Sequence, residues 1–246
     1  MINVDTVYKT VLLILNKEQR GYITPSEFNR LGTQVQLEIF EQYFEDLTQQ
    51  LRIPQNNDEY ANRVKNIEEK ISTFKVIETL TPLWVVSNEF TQPTTLHRMG
   101  IVIYKNEQEL QRVNRSDWLH LNMSKLTRPS ADYPMFIYEE EKIYVQPEDL
   151  VTTDALTYND FTIAYVKKPE NVVWGYLPGP QGQYLYDSTQ YDPIALTGSQ
   201  NFEISDQDQT EVIIKILMYA GVVIRDPQIV QAAAAQVQAT DQNEKT

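Results

Sequence analysis

Apolar residues recur with a helical period at both ends of the chain and with a strand period in the middle. Residues 4–15 place apolar side chains three and four positions apart, which predicts an amphipathic helix ending near Asn16. Residues 24–27, Thr-Pro-Ser-Glu, combine an N-cap threonine, a proline at the first helical position and a glutamate that can bond back to the cap. They predict a second helix with an apolar face over residues 28–51, and a third helix is predicted for residues 60–74.

The middle of the chain has the short alternating runs that are typical of strands. Strands are predicted at residues 74–80, 83–86, 99–104, 135–138, 143–145 and 161–166. Residues 107–115 are predicted either to pair with the preceding strand or to form a short helix. The segment 75–168 is therefore expected to be a small antiparallel β unit.

Residues 169–204 form a long stretch rich in Gly, Pro, Tyr and Gln, and they are predicted to be a loop without regular structure. Its aromatic residues suit contact with another protein, because they bury a large area at a low cost in side-chain entropy. Candidate residues for contact with another protein are Trp174, Tyr176, Tyr184, Tyr186 and Tyr191. An irregular cover over the β unit explains the same composition equally well.

The last segment, residues 205–246, begins with a capping pattern at Ser205 and continues as an apolar helix face over residues 212–224. Pro227 interrupts this helix, because the residue before a proline is disfavoured in the helical region. A second, small-residue helix is predicted to follow and to end in a polar tail. Two interpretations remain open, a frayed terminus or an arm that becomes ordered on a neighbouring subunit.

These patterns predict an α+β fold. The N- and C-terminal helices are expected to form a helical bundle, with an inserted small antiparallel β unit and a C-terminal helical arm. The predicted segments are the N-terminal helices at 1–74, the β unit at 75–168, the Tyr/Gly/Pro-rich loop at 169–204, and the C-terminal helix with its docking arm at 205–246.

Composition narrows the function classes. The formal net charge is −13, and Lys and Arg are not expected to cluster as they do on surfaces that bind duplex DNA. An acidic surface suits a wall past which DNA slides, although most acidic proteins use their charge for solubility. The chain has no cysteine, so it has neither disulfides nor thiolate metal sites. The apolar run at residues 11–15 is too short for a signal segment or a membrane span.

No catalytic constellation is found in the sequence. Residues 16–27 fit a calcium-loop template in part, but Arg20 occupies a ligand position and Glu27 is better explained as a capping residue. His97 and His120 have no metal-ligand spacing and are expected to be structural. No phosphate loop, nucleophile elbow or zinc motif is present. The chain is therefore predicted to be a non-enzyme that needs no cofactor and no metal.

Both helical ends resemble a known group of virion proteins. Residues 7–12, 16–29 and 34–44 resemble the start of ring or connector proteins of tailed bacteriophages, particularly of crAss-like phages with Bacteroidales hosts. Residues 217–227 and the Ala/Gln-rich tail that ends in residues 241–245 are similar to the same proteins. The β middle agrees with them in layout rather than in motif.

The resemblance implies a head-to-tail adaptor that forms a ring, commonly twelvefold, beneath the portal and lines part of the channel for DNA ejection. Implied partners are the portal protein, other neck or tail rings, further copies of the chain, and genomic DNA that passes without specific binding. No membrane is implied, and the location is the neck of the virion after assembly in the host cytoplasm. The predicted portal-docking residues are Gln228, Ile229, Val230, Ala233, Gln236, Val237, Asn243 and Lys245. The alternative is a soluble module that binds a peptide or glycan through the Tyr-rich loop.

Overall fold

The computed structural model describes residues 1–17, 22–52, 58–80, 88–105, 107–150 and 160–223, together with residues 235 and 238. The chain divides into two compact units. Unit 1 combines Met1–Thr73 with Pro169–Thr246, and unit 2 is the continuous stretch Phe74–Lys168. The chain therefore leaves unit 1 after its first helices and returns to it through the Tyr-rich segment.

Unit 1 contains four helices within the described residues. They are α1 (Val4–Lys17), α2 (Pro25–Arg52), α3 (Asp58–Ser72) and α5 (Gln209–Val223). The long helix α2 packs against α3 and α5, and α5 also packs against α1. The buried residues of α1 repeat at helical spacing, and those of α2 and α5 complete the same core. This core contains Val4, Val7, Val11, Leu15, Phe28, Val35, Ile39, Phe40, Val212, Ile216 and Ala220.

The predicted start of α2 is confirmed. Glu27 accepts a hydrogen bond from the backbone N–H of Thr24 at 2.9 Å, and the Glu27 N–H donates to Thr24 Oγ1 at 3.4 Å. Each residue thus satisfies an N–H group that the first turn of a helix leaves without a partner. The hydrogen bonds from Thr24 lower the pKa of Glu27 below its usual range, so the carboxylate that caps the helix is ionised.

Unit 2 is built around a seven-stranded curled sheet. Its strands are β1 (Lys75–Thr79), β2 (Glu89–Thr91), β3 (Leu96–Tyr104), β4 (Gln108–Arg112), β5 (Met135–Glu139), β6 (Lys142–Gln146) and β7 (Phe161–Lys167). Their order across the sheet is β1-β7-β3-β4-β5-β6-β2. Neighbouring strands are antiparallel except β4 and β5, which are parallel.

Both halves of this sheet contribute to one apolar core. The alternate residues Phe161, Ile163 and Tyr165 of β7 point inwards, as the period of two in a strand requires. Phe90 belongs to β2, the strand at one edge of the sheet, and Phe161 belongs to β7, which lies next to the other edge strand. Their ring centroids are nevertheless only 5.0 Å apart. The curl of the sheet therefore follows from a core shared by its two halves.

The short helix α4 (Arg115–Met123) lies on the other side of β5. Trp118 and Leu121 of this helix pack against Met135 and Ile137. Arg115 Nε also donates to Glu139 Oε2 at 2.7 Å. These contacts fix α4 to the sheet and determine where the turn after it is presented.

The predicted fold class is wrong. The chain has a mixed α/β structure with a seven-stranded sheet, not a helical bundle with a small β insertion, and the parallel pair β4–β5 shows that the sheet is not purely antiparallel. Two short strands account for much of the difference. In β4 only Leu110 is buried among polar residues, and β2 is only three residues long, so neither has a clear apolar alternation. The strand predicted at 83–86 lies outside the described residues.

Candidate interaction surface

Polar side chains of α2 bind the main chain of the segment that follows unit 2. Gln36 is fully buried, and its Nε2 donates to the carbonyl of Glu170 at 2.6 Å. Its Oε1 accepts the N–H of Glu203 at 2.9 Å. One amide thus satisfies the main chain at both ends of the Tyr-rich segment, as a buried polar group requires.

Two further polar residues, one and two turns before Gln36 on the same face of α2, also bind the main chain of this segment. Thr33 Oγ1 accepts the N–H of Val172 at 3.1 Å, and Asn29 Oδ1 accepts the N–H of Trp174 at 2.7 Å. Residues 29, 33 and 36 lie on one helix face, whereas residues 170, 172 and 174 lie on one side of an extended chain. Gly32 completes the contact, because a Cβ there would lie only 3.3 Å from Phe202 Cζ.

Replacing Gln36 with alanine is expected to lower the free energy of unfolding by about 2 kcal/mol, because it leaves two backbone groups unsatisfied in a buried position. Urea unfolding of the full chain measures this change. Gln34→Ala is the matched control, since Gln34 is exposed on the same helix and should change stability little. An equal loss in both variants would show that helix propensity, not the buried amide, is responsible.

Trp174 is the centre of an aromatic stack in unit 1. Its ring centroid lies 4.3 Å from that of Tyr8, and Nε1 donates to Asp5 Oδ1 at 3.1 Å. Tyr176 and Tyr186 stack on it at 6.1 and 5.8 Å, with interplanar angles of 25° and 27°. Burial is the largest of the effects that raise the pKa of Tyr8 well above its usual range, which keeps this phenol neutral. The stack therefore fixes the start of the Tyr-rich segment to α1.

The two tyrosines that stack on Trp174 belong to a hairpin formed by β8 (Tyr176–Pro178) and β9 (Tyr184–Tyr186). Their side chains share one face, whereas Leu177 and Leu185 form a cross-strand pair on the other. Leu177 is 52% exposed and Leu185 is also exposed. No residue from 171 to 186 is charged, although 22% of the chain is. The hairpin therefore presents an uncharged Tyr and Leu surface.

The loop after the hairpin is closed by Asp187. Its Oδ1 accepts the N–H of Thr189 at 3.1 Å, and its Oδ2 accepts the N–H of Gly198 at 3.2 Å. The bonds from Thr189 are the main cause of a pKa of Asp187 below its usual range. Gly175 must lack a side chain, because a Cβ would lie 2.0 Å from the carbonyl oxygen of Gly198. The predicted structureless loop is thus a hairpin followed by a hydrogen-bonded turn.

An open groove runs beside the stack, with a volume of about 490 Å³. Its lining is aromatic and nearly free of charge, with Lys9 the one ionised side chain among the lining residues described. The lining residues are Tyr8, Lys9, Leu12, Tyr22, Trp174, Gly182, Gln183 and Tyr184. Such a lining suits the stacking of an apolar ring face or a peptide side chain.

A buried ionic cluster connects α2, α3 and the start of α5. Asp208 Oδ1 lies 2.8 Å from Lys70 Nζ, and Asp208 Oδ2 accepts a short hydrogen bond from the Tyr43 hydroxyl. Burial and this bond raise the pKa of Tyr43 above its usual range, so that it remains a hydrogen-bond donor. The capping pattern predicted at Ser205 gives no indication of this role of Asp208.

The predicted contact residues are not equivalent. Trp174 is only 4% exposed, so it packs beneath the tyrosines of the hairpin and is not itself a contact surface. Tyr176 and Tyr184 are exposed, whereas Tyr186 and Tyr191 are half-buried. The whole predicted portal-docking set lies outside the described residues, and it comprises Gln228, Ile229, Val230, Ala233, Gln236, Val237, Asn243 and Lys245.

Within the described residues, no three His, Asp or Glu side chains are grouped so that they could hold a metal ion. His97 lies in β3, and the exposed His120 lies in α4. Among the helices described, none is long and apolar enough to cross a bilayer. Comparison with protein-family profiles finds no match, and no curated protein is significantly similar to the chain.

Proposed function

We propose that the chain is a structural protein of a tailed-bacteriophage virion. It acts as a head-to-tail adaptor that assembles into a ring, binds the portal and forms part of the neck channel through which DNA passes. The resemblance of residues 7–12, 16–29, 34–44 and 217–227 to ring proteins supports this function. The net charge of −13 supports a channel wall to which DNA does not adhere.

The uncharged hairpin is the observation that carries the proposal. Protein interfaces are depleted of charged residues at their centre and enriched in aromatic ones, and the exposed Tyr176, Leu177, Tyr184 and Leu185 have this composition. Copies of one acidic chain repel each other on average, and a surface without charged residues avoids that repulsion. The hairpin is therefore assigned to subunit or tail contacts, and the buried Trp174 positions it.

Ring formation is tested by the mass of the purified chain in solution, measured with and without the portal protein of the same phage. A closed oligomer, twelvefold in the proposal, is expected in the presence of the portal. Tyr184→Ser with Leu185→Ser should weaken assembly, whereas Ile194→Ser with Leu196→Ser is a control at exposed apolar positions outside the hairpin. A chain that remains monomeric under both conditions contradicts the adaptor function.

The portal-docking arm is proposed to be residues 228–245. Ending the chain after residue 227 is expected to abolish binding to the portal and to leave the unfolding midpoint of the remaining protein unchanged. Pull-down on immobilised portal measures the binding, and urea unfolding provides the control for the fold. Unchanged affinity of the shortened chain for the portal would show that the arm is not the docking element.

The aromatic groove beside Trp174 favours a second candidate, a module that binds a peptide or a glycan. In that case the isolated chain is a stable monomer, and a glycan or peptide array identifies a ligand. Binding would be lost in Tyr22→Ala, since Tyr22 is an exposed part of the groove lining, whereas the hairpin variant Leu185→Ser would still bind. The mass measurement with portal distinguishes this candidate from the adaptor.

A further inference from the structure

An exposed turn that carries both apolar and cationic side chains follows α4 in unit 2. Leu126 is 96% exposed and Met123 is 85% exposed. Lys125 and Arg128 lie beside them and are also exposed. Residues 123–128 are called the basic turn below. Two solvent-exposed apolar side chains close together on a short turn indicate a contact surface, whereas single exposed apolar residues are common on protein surfaces.

The basic turn is ordered by its own hydrogen bonds. Thr127 Oγ1 donates to the carbonyl of Leu121 at 2.9 Å, and the Arg128 N–H donates to the carbonyl of Ser124 at 3.0 Å. The helix before it is fixed to the sheet through its aromatic and ionic contacts. These bonds restrict the conformations of the turn, which lowers the entropic cost of binding.

The charge of this stretch is opposite to that of the chain. Residues 112–128 contain four Lys or Arg residues and a single acid, whereas the whole chain has a net charge of −13. This local group of cations differs from the absence of clustered Lys and Arg that the net charge predicted. A cationic and apolar turn is complementary to a surface that is acidic and partly apolar.

The chain itself presents such a surface along α2 in unit 1. An open groove of about 480 Å³ is lined by four carboxylate residues, which are Glu38, Glu41, Glu45 and Asp46. Leu37 adds an apolar side chain to this lining. Among the lining residues, Lys215 is the one cation, and its Nζ is paired with Glu211 at 2.9 Å. These residues define the acidic groove, whose lining has four carboxylates and one lysine.

We propose that the basic turn of one copy binds the acidic groove of the next copy. The inference rests on the proposed ring function, to which it adds a contact between subunits at surfaces other than the hairpin. Two different surfaces meet, so the interface is heterologous and propagates from copy to copy until a ring closes. Leu126 and Met123 supply the buried apolar area, whereas Lys125 and Arg128 set the register.

A charge exchange tests this contact. Variant A carries Lys125→Glu and Arg128→Glu, and variant B carries Glu41→Lys and Glu45→Lys. Each variant alone places like charges against each other, so its self-association constant is expected to fall by roughly 100-fold. A mixture of A and B in equal amounts restores association, because every contact between A and B joins opposite charges. Sedimentation velocity of the full chain, with portal present where it is needed for assembly, measures all three samples.

Controls match the charge change at other exposed sites. Lys75→Glu with Lys168→Glu matches variant A, and Glu68→Lys with Glu69→Lys matches variant B; both controls should assemble as the wild type does. The unfolding midpoint in urea shows that A and B are folded. If a double variant is unfolded, the single exchanges Lys125→Glu and Glu45→Lys replace it.

The outcomes are distinct. If the wild type assembles and A or B assembles equally well, or if the mixture remains dissociated, the docking contact is wrong and the ring function stands. If the wild type never assembles, even with portal, both proposals fail. If variant A assembles normally but loses binding to a duplex DNA probe, the basic turn faces DNA and the docking contact is again wrong.

Discussion

Trp174→Ala is expected to lower the free energy of unfolding by about 4 kcal/mol, the largest effect of any single substitution considered for unit 1. The indole is almost completely buried, and it joins Tyr8 of α1 to both tyrosines of the hairpin. Its removal leaves a cavity under the hairpin and a carboxylate, Asp5, without its indole donor. Urea unfolding monitored by circular dichroism measures the loss.

The conservative substitution separates the two contributions of this side chain. Trp174→Phe keeps a ring in the stack but removes the hydrogen bond to Asp5 and part of the indole volume, so a loss of about 1 to 2 kcal/mol is expected. Assembly should be weakened much more by the alanine variant than by the phenylalanine variant, because the former releases the hairpin. A loss below 1 kcal/mol in Trp174→Ala would show that the stack does not stabilise the unit.

Asp208→Ala is expected to cost about 3 kcal/mol, because it leaves the Lys70 ammonium and the Tyr43 hydroxyl without their acceptor in a largely buried site. Lys70→Met removes the charge as well, so the double variant should be more stable than the sum of the two single losses predicts. Asp206→Ala is the matched control two residues away, where the side chain is 75% exposed and little change is expected.

A double-mutant cycle measures the coupling free energy between Asp208 and Lys70. A coupling of about 1 kcal/mol or more between Asp208 and Lys70 is the expected result. Additive losses would mean that the two residues do not interact in solution. If Asp206→Ala lowers the free energy of unfolding equally, the effect arises from the acidic turn before α5 and not from the buried cluster.

The helices that could be predicted from the sequence are those with local signals. The apolar period of α1 and the reciprocal Thr24–Glu27 cap lie within a few residues of each other, so nothing distant is needed to recognise them. The start of α5 was predicted less well. Ser205 makes no side-chain cap, a 3-10 turn occupies Asp206–Asp208, and the helix begins at Gln209. Asp208 is instead used by Tyr43, a partner 165 positions away in the chain.

The Tyr-rich segment could not be predicted for a related reason. Its residues were identified as candidates for contact from composition, but its order depends on side chains of a helix more than 130 residues earlier. The main chain of this segment is held by polar side chains such as Gln36, so its sequence shows no alternation of apolar residues that could be recognised. The sheet shows the same limit, because β4 has a single buried residue and is recognised only through its neighbours.

The insertion of unit 2 between Thr73 and Pro169 determines the order of folding during synthesis. Residues 74–168 leave the ribosome as one continuous stretch and can close their core at once. The first two helices end at Arg52 and must wait while residues 53–223 are made, which takes roughly 9 to 34 s at ordinary rates of translation. During that interval the nascent chain exposes the apolar faces of α1 and α2, where a chaperone such as a ribosome-bound holdase would bind.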